Sequence, residues 1–482
     1  MSGATLEGFP FFCATYHFVD VLRLIHAPHR VQVLFRRAIQ SNWPAGLSSQ
    51  AGGLVPTHMQ ESLRGRLQDE NQGAVDLHIA ERPFAKAESL ALCCHILEYL
   101  LAAGWHVVVR SDMSRMVDQS TWFFQKIASS NRKPSVFCVS MFGNGYLHLA
   151  KAPEDVYALV KKALLAKYTR GVKVAERDEA AREYSFRLND DPWISESAAG
   201  MDARRAYLEV LRSLAASDYH VYTAANTLTG RSDAVYYVKE KREEAKDVNF
   251  CMLSLNGNDR LRLVDCPADV VQAVHQILLH TRGSNAIQRE GDYEGTHEFK
   301  LRGEPWCAEG QDTVGARYTV LKLIQTMRLR GWRLHCALDM CRRMNDKAAL
   351  VFKWVGKARK EADFFCLAPA DVDRLRSIGA TPHVVDAVRK TILKHYQPGL
   401  AKESADFYGA HEFKLNGLPF FGRNGTHELH ARSLFCHLLR KLDAAGWEPV
   451  VSADVSAKHV RTEAGPDYVV DVASWFFGRK ES

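Results

Sequence analysis

The chain has 482 residues, of which 46% are hydrophobic and 25% charged, and a net charge of +7, which is typical of a globular protein of three or four domains and permits an anionic partner. It has no apolar run of the roughly 18 residues that a membrane-spanning helix needs, and residues 1–10 lack signal-peptide features, so neither a transmembrane segment nor secretion is predicted. Eleven cysteines without a CxxC pair indicate reduced thiols, which predicts the cytoplasm, with the nucleus as an alternative.

The amino-terminal part divides into a structured half and a linker. A Phe-Cys strand begins at Phe12, a second short strand begins at Leu22, and Pro28 marks the start of a helix, since proline fits the first helical turn. Residues 49–72 are rich in Gly, Ser and Gln, a composition that predicts a flexible linker.

The next segment contains the full set of elements. An alternating strand and a helix come first, and Gly104 ends the helix because glycine accepts the left-handed conformation. Trp105 opens an apolar strand, Trp122 and Phe137 mark two further strands, and a short strand pairs after them. Pro153 then starts a second helix. The predicted order is β-α-β-β-β-β-α.

Short patterns from this segment return in the same order along the chain. The most regular are a Gly-aromatic step, whose aromatic residues lie 113 to 115 residues apart, and a Phe-Cys step. They occur at Gly104-Trp105, Asp218-Tyr219, Gly331-Trp332 and Gly446-Trp447, and at Phe12-Cys13, Phe137-Cys138, Phe250-Cys251 and Phe365-Cys366. This recurrence predicts tandem modules, with whole copies at 73–168, 182–283 and 296–398.

The two ends of the chain carry complementary halves of the module. Residues 1–48 hold its second half and residues 409–482 its first half. A half-module buries little surface and leaves a strand edge unpaired. We therefore predict an α+β tandem repeat of a module of about 100 residues with a mostly antiparallel sheet, in which three whole copies and a fourth completed by the N- and C-terminal halves form a closed pseudo-fourfold arrangement. The alternative is a fragment of a longer array.

Familiar catalytic signatures are absent from the sequence. There is no phosphate-binding loop and no GxGxxG, HExxH or GxSxG pattern. His427 and His430 have a spacing that could bind a metal on a helix, but no further ligands accompany them. The repeated cysteines lie in apolar strands, which favours core positions over nucleophiles. No catalytic residue, metal or cofactor is predicted.

Two classes of polar residue recur and are candidates for ligand binding. Asp112, Asp339 and Asp454 follow the second strand, with Asn226 at this place in the second module. They could close a turn, cap a helix or contact a ligand. The other class stands near the start of the first helix, where it could pair with a local acid or hold an anionic ligand. Its members are Arg204, Arg317 and Arg432, with Glu88 in the first module.

The loop after the third strand is basic in each module. If the modules form a ring, these loops could collect on one rim and attract nucleic acid or an anionic membrane surface. Interleaved acids and the lack of an aromatic platform favour a solvated hairpin instead. The basic candidates are Lys133, Lys241, Arg242, Lys357, Arg359 and Lys360.

The shared residues are mainly apolar, and no nucleophile or acid–base pair stands out. The favoured interpretation is therefore a non-enzymatic intracellular repeat protein that binds a protein or a small anionic ligand, or acts as a scaffold. One alternative is an enzyme with a site between modules or in the diverged second module. Another is anion binding, to nucleic acid or phosphoinositide, through the basic loops.

Overall fold

The computed structural model describes residues 8–17, 19–48, 74–113, 120–127, 134–227, 233–241, 248–341, 347–356, 362–421, 426–456, 459–460, 468–469 and 472–480. Helices and antiparallel sheets recur four times along these residues, which confirms the predicted α+β tandem repeat. The predicted linker at 49–72 lies outside the described residues. None of the described helices has the length and apolarity needed to cross a membrane.

In the part of residues 11–126 that the structure describes, the first copy contains one five-stranded sheet and two helices. Its strands are β1 (Phe11–His17), β2 (Val21–Ile25), β3 (Ala74–His78), β4 (Trp105–Ser111) and β5 (Thr121–Lys126), and its helices are α1 (His29–Asn42) and α2 (Ser89–Ala102). The strand order is β3-β2-β1-β5-β4, and each neighbouring pair is antiparallel.

Copies 2 and 3 have the same plan, with a sixth strand at the sheet edge, before the strand that corresponds to β3; residues 49–73, at this place in copy 1, lie outside the described part of the chain. This sixth strand pairs with the strand that follows it in the chain. Copy 2 contains β6 (Val136–Phe142), β7 (Tyr146–Ala150), α3 (Glu154–Lys167), β8 (Val172–Asp178), β9 (Glu183–Leu188), α4 (Ala198–Ala215), β10 (Tyr219–Ala225) and β11 (Ala234–Lys239). Copy 3 contains β12 (Phe250–Asn256), β13 (Arg260–Val264), α5 (Ala268–Arg282), β14 (Ile287–Tyr293), β15 (Thr296–Leu301), α6 (Asp312–Leu329), β16 (Trp332–Leu338) and β17 (Ala349–Trp354).

Copy 4 repeats this plan and adds a two-stranded ribbon. It contains β18 (Phe364–Ala370), β19 (Arg374–Ile378), α7 (Pro382–His395), β20 (Leu400–Phe407), β21 (Ala410–Leu415), α8 (Thr426–Ala444), β22 (Trp447–Ala453) and β25 (Ser474–Arg479), with β23 (His459–Val460) and β24 (Tyr468–Val469) as the ribbon. The order of its main sheet is β20-β21-β19-β18-β25-β22.

The central strands of each sheet are buried on both faces. In copy 1, Phe12 and Phe124 face the helices of their own copy, whereas Cys13 and Phe123 belong to the apolar core of copy 4. Side chains on successive strand positions point to opposite faces, so each sheet contributes to two cores. Every core therefore combines one copy with one face of the sheet of the next copy.

The four copies form a closed ring. The second helix of each copy packs on the first strand of the next copy: α2 on β6, α4 on β12, α6 on β18 and α8 on β1. The inner edge strands meet around a central axis: β4 with β10, β10 with β16, β16 with β22 and β22 with β4. We name these contacts joints 1–2, 2–3, 3–4 and 4–1. The predicted closed pseudo-fourfold arrangement is confirmed.

The two ends of the chain meet at joint 4–1 as predicted, but they do not share a sheet. The rings of Phe123 in copy 1 and Trp475 in copy 4 lie 4.9 Å apart. However, β5 pairs with β1 inside copy 1, and β25 pairs with β18 inside copy 4. The prediction that the terminal halves complete one sheet is therefore wrong. Instead, α8 of copy 4 packs on β1 of copy 1. The apolar surfaces of the two ends are therefore buried by helix–sheet packing and not by strand pairing.

The sheets also shift the module boundaries. The predicted modules 73–168, 182–283 and 296–398 each combine the second half of one copy with the first half of the next. The polar segment 49–72 has the composition of a domain boundary, yet β3 after it pairs with β2 before it. Because the elements recur in the same cyclic order, periodicity alone does not show at which loop one copy ends and the next begins. Long-range strand pairing decides where the boundaries lie.

Two local features were not visible in the sequence. The charged segments between the predicted whole modules contain the exposed outer strands β8, β14 and β20, and charge on an edge strand discourages pairing with other chains. The Phe-Cys pattern is one residue out of register in copy 3. Cys251 pairs with Phe352 as Phe12 pairs with Phe124, so Cys251 takes the phenylalanine position.

Candidate functional site

The recurring aspartates lie at the ends of the inner edge strands, close to the central axis. The main-chain carbonyl at this position accepts a hydrogen bond from a main-chain N–H of the preceding copy, once at every joint. The four bonds run from Ala473 to Asp112 (3.3 Å), Ser120 to Asn226 (2.9 Å), Asp233 to Asp339 (3.2 Å) and Ala348 to Asp454 (3.0 Å). The backbone at this position therefore joins the copies in a closed circle.

Side chains reinforce this circle. The Asp112 carboxylate accepts hydrogen bonds from the Ser120 hydroxyl at 2.8 Å and from the Arg110 guanidinium at 3.1 Å. Arg110 also donates to Asp233 of copy 2 at 2.6 Å and to the carbonyl of Ala337 of copy 3 at 3.3 Å. Burial raises the pKa of Asp233 to about 6, although Arg110 opposes this. One arginine thus contacts three copies.

The other two aspartates make comparable contacts. Asp339 accepts a hydrogen bond from the N–H of Cys341 at 3.3 Å, two residues along the chain. The carboxylate of Asp454 lies 3.5 Å from the ammonium of Lys347 in copy 3. Burial raises the pKa of Asp454, and Lys347 opposes that shift. These carboxylates therefore have partners within the protein, either in their own turn or across a joint.

The recurring arginines lie inside joints 2–3, 3–4 and 4–1 and are each at most 2% exposed. The Nε of each donates to a hydroxyl of the next copy: Arg204 to Ser254 (3.0 Å), Arg317 to Ser474 (2.8 Å) and Arg432 to Thr121 (3.0 Å). Arg432 is also paired with Glu428 at 2.6 Å. Although burial opposes it, Arg432 and His17 lower the pKa of Glu428 to about 2. The guanidinium groups join the copies and are shielded from solvent.

Copy 1 lacks this arginine. Leu90 lies 15 residues before Trp105, as each arginine does before the aromatic residue of its own copy. The predicted equivalent, Glu88, is therefore wrong by two positions. The hydroxyl that would receive the arginine is that of Ser140, which holds the same register as Ser254. Among the described residues it is buried without a hydrogen-bond partner.

A second set of buried or partly buried ion pairs was not predicted from the sequence. They join neighbouring strands within a copy: Arg23 with Asp76 (2.7 Å), Arg262 with Glu298 (2.8 Å) and Arg376 with Glu412 (2.8 Å). Arg262 also donates to the carbonyl of Glu196 in copy 2 at 2.6 Å, so it too serves a joint. The sequence signal is an arginine that follows a leucine in a short strand and an acidic residue inside the alternating strand, as in His-Glu-Phe for Glu298 and Glu412.

The basic-loop candidates are only partly described. Lys241 is exposed, whereas Lys133, Arg242, Lys357, Arg359 and Lys360 lie outside the described residues. Beside these loops, basic residues at the ends of the last strands lie over aromatic rings. They are Lys126 over Trp105 (5.7 Å), Lys239 over Tyr219 (4.8 Å) and Arg479 over Trp447 (5.0 Å). Such contacts are cation–π interactions, and they occur at the same place in three copies.

Copy 3 has a tryptophan where the other copies have this basic residue. Trp354 pairs with Trp332 across β16 and β17, as Lys239 pairs with Tyr219 in copy 2. The two indole rings are 5.2 Å apart, and Trp354 is 37% exposed. They line a pocket of about 480 Å³ at joint 2–3. Its charged lining residues are Arg212, Asp265 and Asp269.

In the described residues, neither the cysteine thiols nor the pair His427 and His430 show a reactive arrangement. None of the eleven cysteines forms a disulfide, and burial raises the pKa of the Cys366 thiol to about 12 and that of Cys138 well above its usual value. Within the same residues, no group of three or more His, Cys, Asp or Glu side chains could hold a metal ion. Burial lowers the pKa of His430.

One family model, that of a single domain, matches the chain four times, at residues 10–125, 135–239, 249–353 and 363–478. Each match begins just before the first strand of a copy and ends at its last strand, so the domain of the family coincides with the structural copy. No curated protein and no solved structure matches the chain.

Proposed function

The chain belongs to the family of proteins that carry this domain, and we propose that it is a non-enzymatic intracellular binding protein whose four copies form a rigid scaffold. The main support for this proposal is the difference between the residues that the copies share and those that are specific to copy 3. The polar side chains that the copies share join one copy to the next, whereas an open pocket occurs where copy 3 departs from the others. Shared residues therefore serve the frame, and a residue specific to one copy serves binding.

The joints support a rigid frame. A charged group that leaves water costs several kcal/mol unless its hydrogen bonds are replaced. Arg317 has such replacements in the Ser474 hydroxyl and in the carbonyls of Thr313 and Ser456. These partners belong to two different copies, so one relative placement of the copies satisfies the guanidinium. Such a frame holds surface residues in fixed positions, which lowers the entropy cost of binding a partner.

The lack of disulfides supports an intracellular location. None of the eleven cysteines forms a disulfide, and nine of them are buried. Disulfides form readily in oxidising compartments and are rare in the cytosol and nucleus. A chain with this many reduced thiols is suited to a reducing environment.

Native mass spectrometry of the full chain purified from its own cells tests the proposal. We expect an additional mass that corresponds to a partner protein at a fixed stoichiometry and that is released intact when the complex dissociates. A chain that carries nothing at any protein concentration would contradict a binding role. A bound nucleic acid, or a small molecule that is converted during incubation, would contradict the choice of partner or the absence of catalysis.

A further inference from the structure

Lys239 in copy 2 has the strand position that Trp354 has in copy 3, so copy 2 shows how a cation packs at this place. The Lys239 ammonium lies 4.8 Å from the centre of the Tyr219 ring. The Tyr219 hydroxyl donates a hydrogen bond to Asp155, in the first turn of α3, at 2.8 Å. An aromatic ring, an ammonium group and a carboxylate are therefore grouped at this place within the protein.

Copy 3 has two of these three components. Trp332 supplies the ring, and Asp269 in the first turn of α5 takes the place of Asp155. The ammonium is missing because Trp354 replaces the lysine. Asp269 is exposed and has no ion pair among the described residues. The site thus presents two indole rings and a carboxylate without the cation that the matching site contains.

The other charges of the pocket neutralise each other. The Arg212 guanidinium, from α4 of copy 2, is paired with Asp265 at 2.7 Å and donates to the carbonyl of Phe250 at 2.7 Å. This leaves the carboxylate of Asp269 as the uncompensated charge of the lining. A negative carboxylate and the electron-rich faces of indole rings both attract a cation.

We propose that this pocket binds a lysine or arginine side chain of a partner protein, which supplies the cation that Lys239 supplies in copy 2. The inference rests on the proposed binding function and names the chemistry of its partner. A volume of about 480 Å³ lies within the range of about 300–1,000 Å³ of ligand pockets, so a long side chain fits with part of its own backbone. The partner's charged group then lies against Trp354 and near Asp269.

The test is a titration of the full chain, followed by tryptophan fluorescence, with the peptide Gly-Gly-Lys-Gly-Gly and with the same peptide acetylated on the lysine. We expect the unmodified peptide to bind and the acetylated peptide, which has no charge on its lysine, to bind at least about tenfold more weakly. Trp354→Lys restores the internal cation of the other copies, so the variant is expected to fold and to lose peptide binding. Asp269→Asn is expected to weaken binding about threefold or more.

Asp155→Asn in copy 2 is the matched control, because it removes the equivalent carboxylate from a site that already contains its own cation. We expect it to leave peptide affinity unchanged. Equal binding of both peptides, unchanged binding by Trp354→Lys, or equal binding of free ethylamine and the lysine peptide would overturn the assignment. If a partner protein travels with both the native chain and Trp354→Lys, the binding function stands and the pocket assignment fails.

Discussion

Acid is expected to loosen joint 4–1, because three histidines pack against each other there. The His437 ring on α8 lies 3.7 Å from the ring of His395 on α7 and 5.2 Å from the ring of His26 in copy 1. The Nε2 atom of His26 is hydrogen-bonded to the hydroxyl of Ser433 at 2.7 Å. His26 and His437 are 4% and 7% exposed, so protonation would place charge inside the joint.

Two of the other joints, 1–2 and 2–3, hold opposite charges at this place. The pairs are Lys151 with Glu98 at 2.6 Å in joint 1–2 and Asp265 with Arg212 at 2.7 Å in joint 2–3. His26 has the loop position of Lys151 and Asp265, and all three have φ near +60° (60°, 59° and 53°). The helix position in joint 4–1 is Arg440, so a protonated His26 would face a cation. Joint 4–1 also lacks the chain connection that links the copies at the other three joints.

The expected size of the effect follows from the pKa values. Burial, followed by the neighbouring His395, lowers the pKa of His26 to about 4, against about 6.5 in the unfolded chain. The pKa of His437 falls to about 3, through burial and then through His26, His395, Arg440 and Lys394. As the pH falls below about 6.5, the unfolded chain therefore binds protons first, and stability decreases. His26 alone removes about 2.5 kcal/mol between pH 7 and pH 4.5.

Urea unfolding at pH 7 and at pH 4.5 measures this loss. His26→Asn keeps a residue that tolerates positive φ and should reduce the pH-dependent loss by about 2.5 kcal/mol. His383→Gln, on an exposed position of α7, is the control and should leave the loss unchanged. If the double variant His26→Asn/His437→Gln loses as much stability in acid as the native chain, these histidines do not cause the loss.

Three further outcomes are expected. Ser140→Ala should be neutral or stabilising by up to about 1 kcal/mol, because the buried Ser140 hydroxyl has no hydrogen-bond partner among the described residues. Ser254→Ala should cost about 1–3 kcal/mol, because it removes the hydrogen-bond acceptor of buried Arg204. Equal effects of the two variants on urea unfolding would contradict this. Arg317→Ala should cost about 3–5 kcal/mol, since it leaves buried acceptors and a cavity, and a loss below about 1 kcal/mol would argue against the joint. Half-buried Cys307 should react with a thiol reagent long before buried Cys138, and the reverse order, read by mass spectrometry, would contradict the described burial.

Local features of the fold could be predicted from the sequence, because local physical chemistry determines them. Gly331 ends α6 with φ +86°, and the turn at Gly257 joins β12 and β13 as a hairpin with φ +53°. Leu434, Leu438 and Leu442 are spaced four residues apart, as on one face of a helix, and all three are buried in α8. The frame of the repeat could not be predicted, since the pairing of β5 with β1 joins segments far apart in the chain.

The candidate site was predictable to a smaller extent. The recurrence of Arg204, Arg317 and Arg432 was visible, but their burial was not, because a charged residue is usually expected at the surface. Their partners lie in the next copy, at sequence distances that no local pattern indicates. The significance of Trp354 depends on its register opposite Trp332. Strand register becomes visible only when the sheet is known.

A circular permutant tests the closed ring most directly. Ser482 is joined to Met1, and new termini are placed between residues 241 and 248, so that joint 4–1 gains a chain connection and joint 2–3 loses one. If the ring is closed, all four joints still form, and the permutant should unfold in urea at the same midpoint as the native chain at pH 7. If the copies form an open array, joint 2–3 cannot reform, and the permutant should unfold at a clearly lower urea concentration.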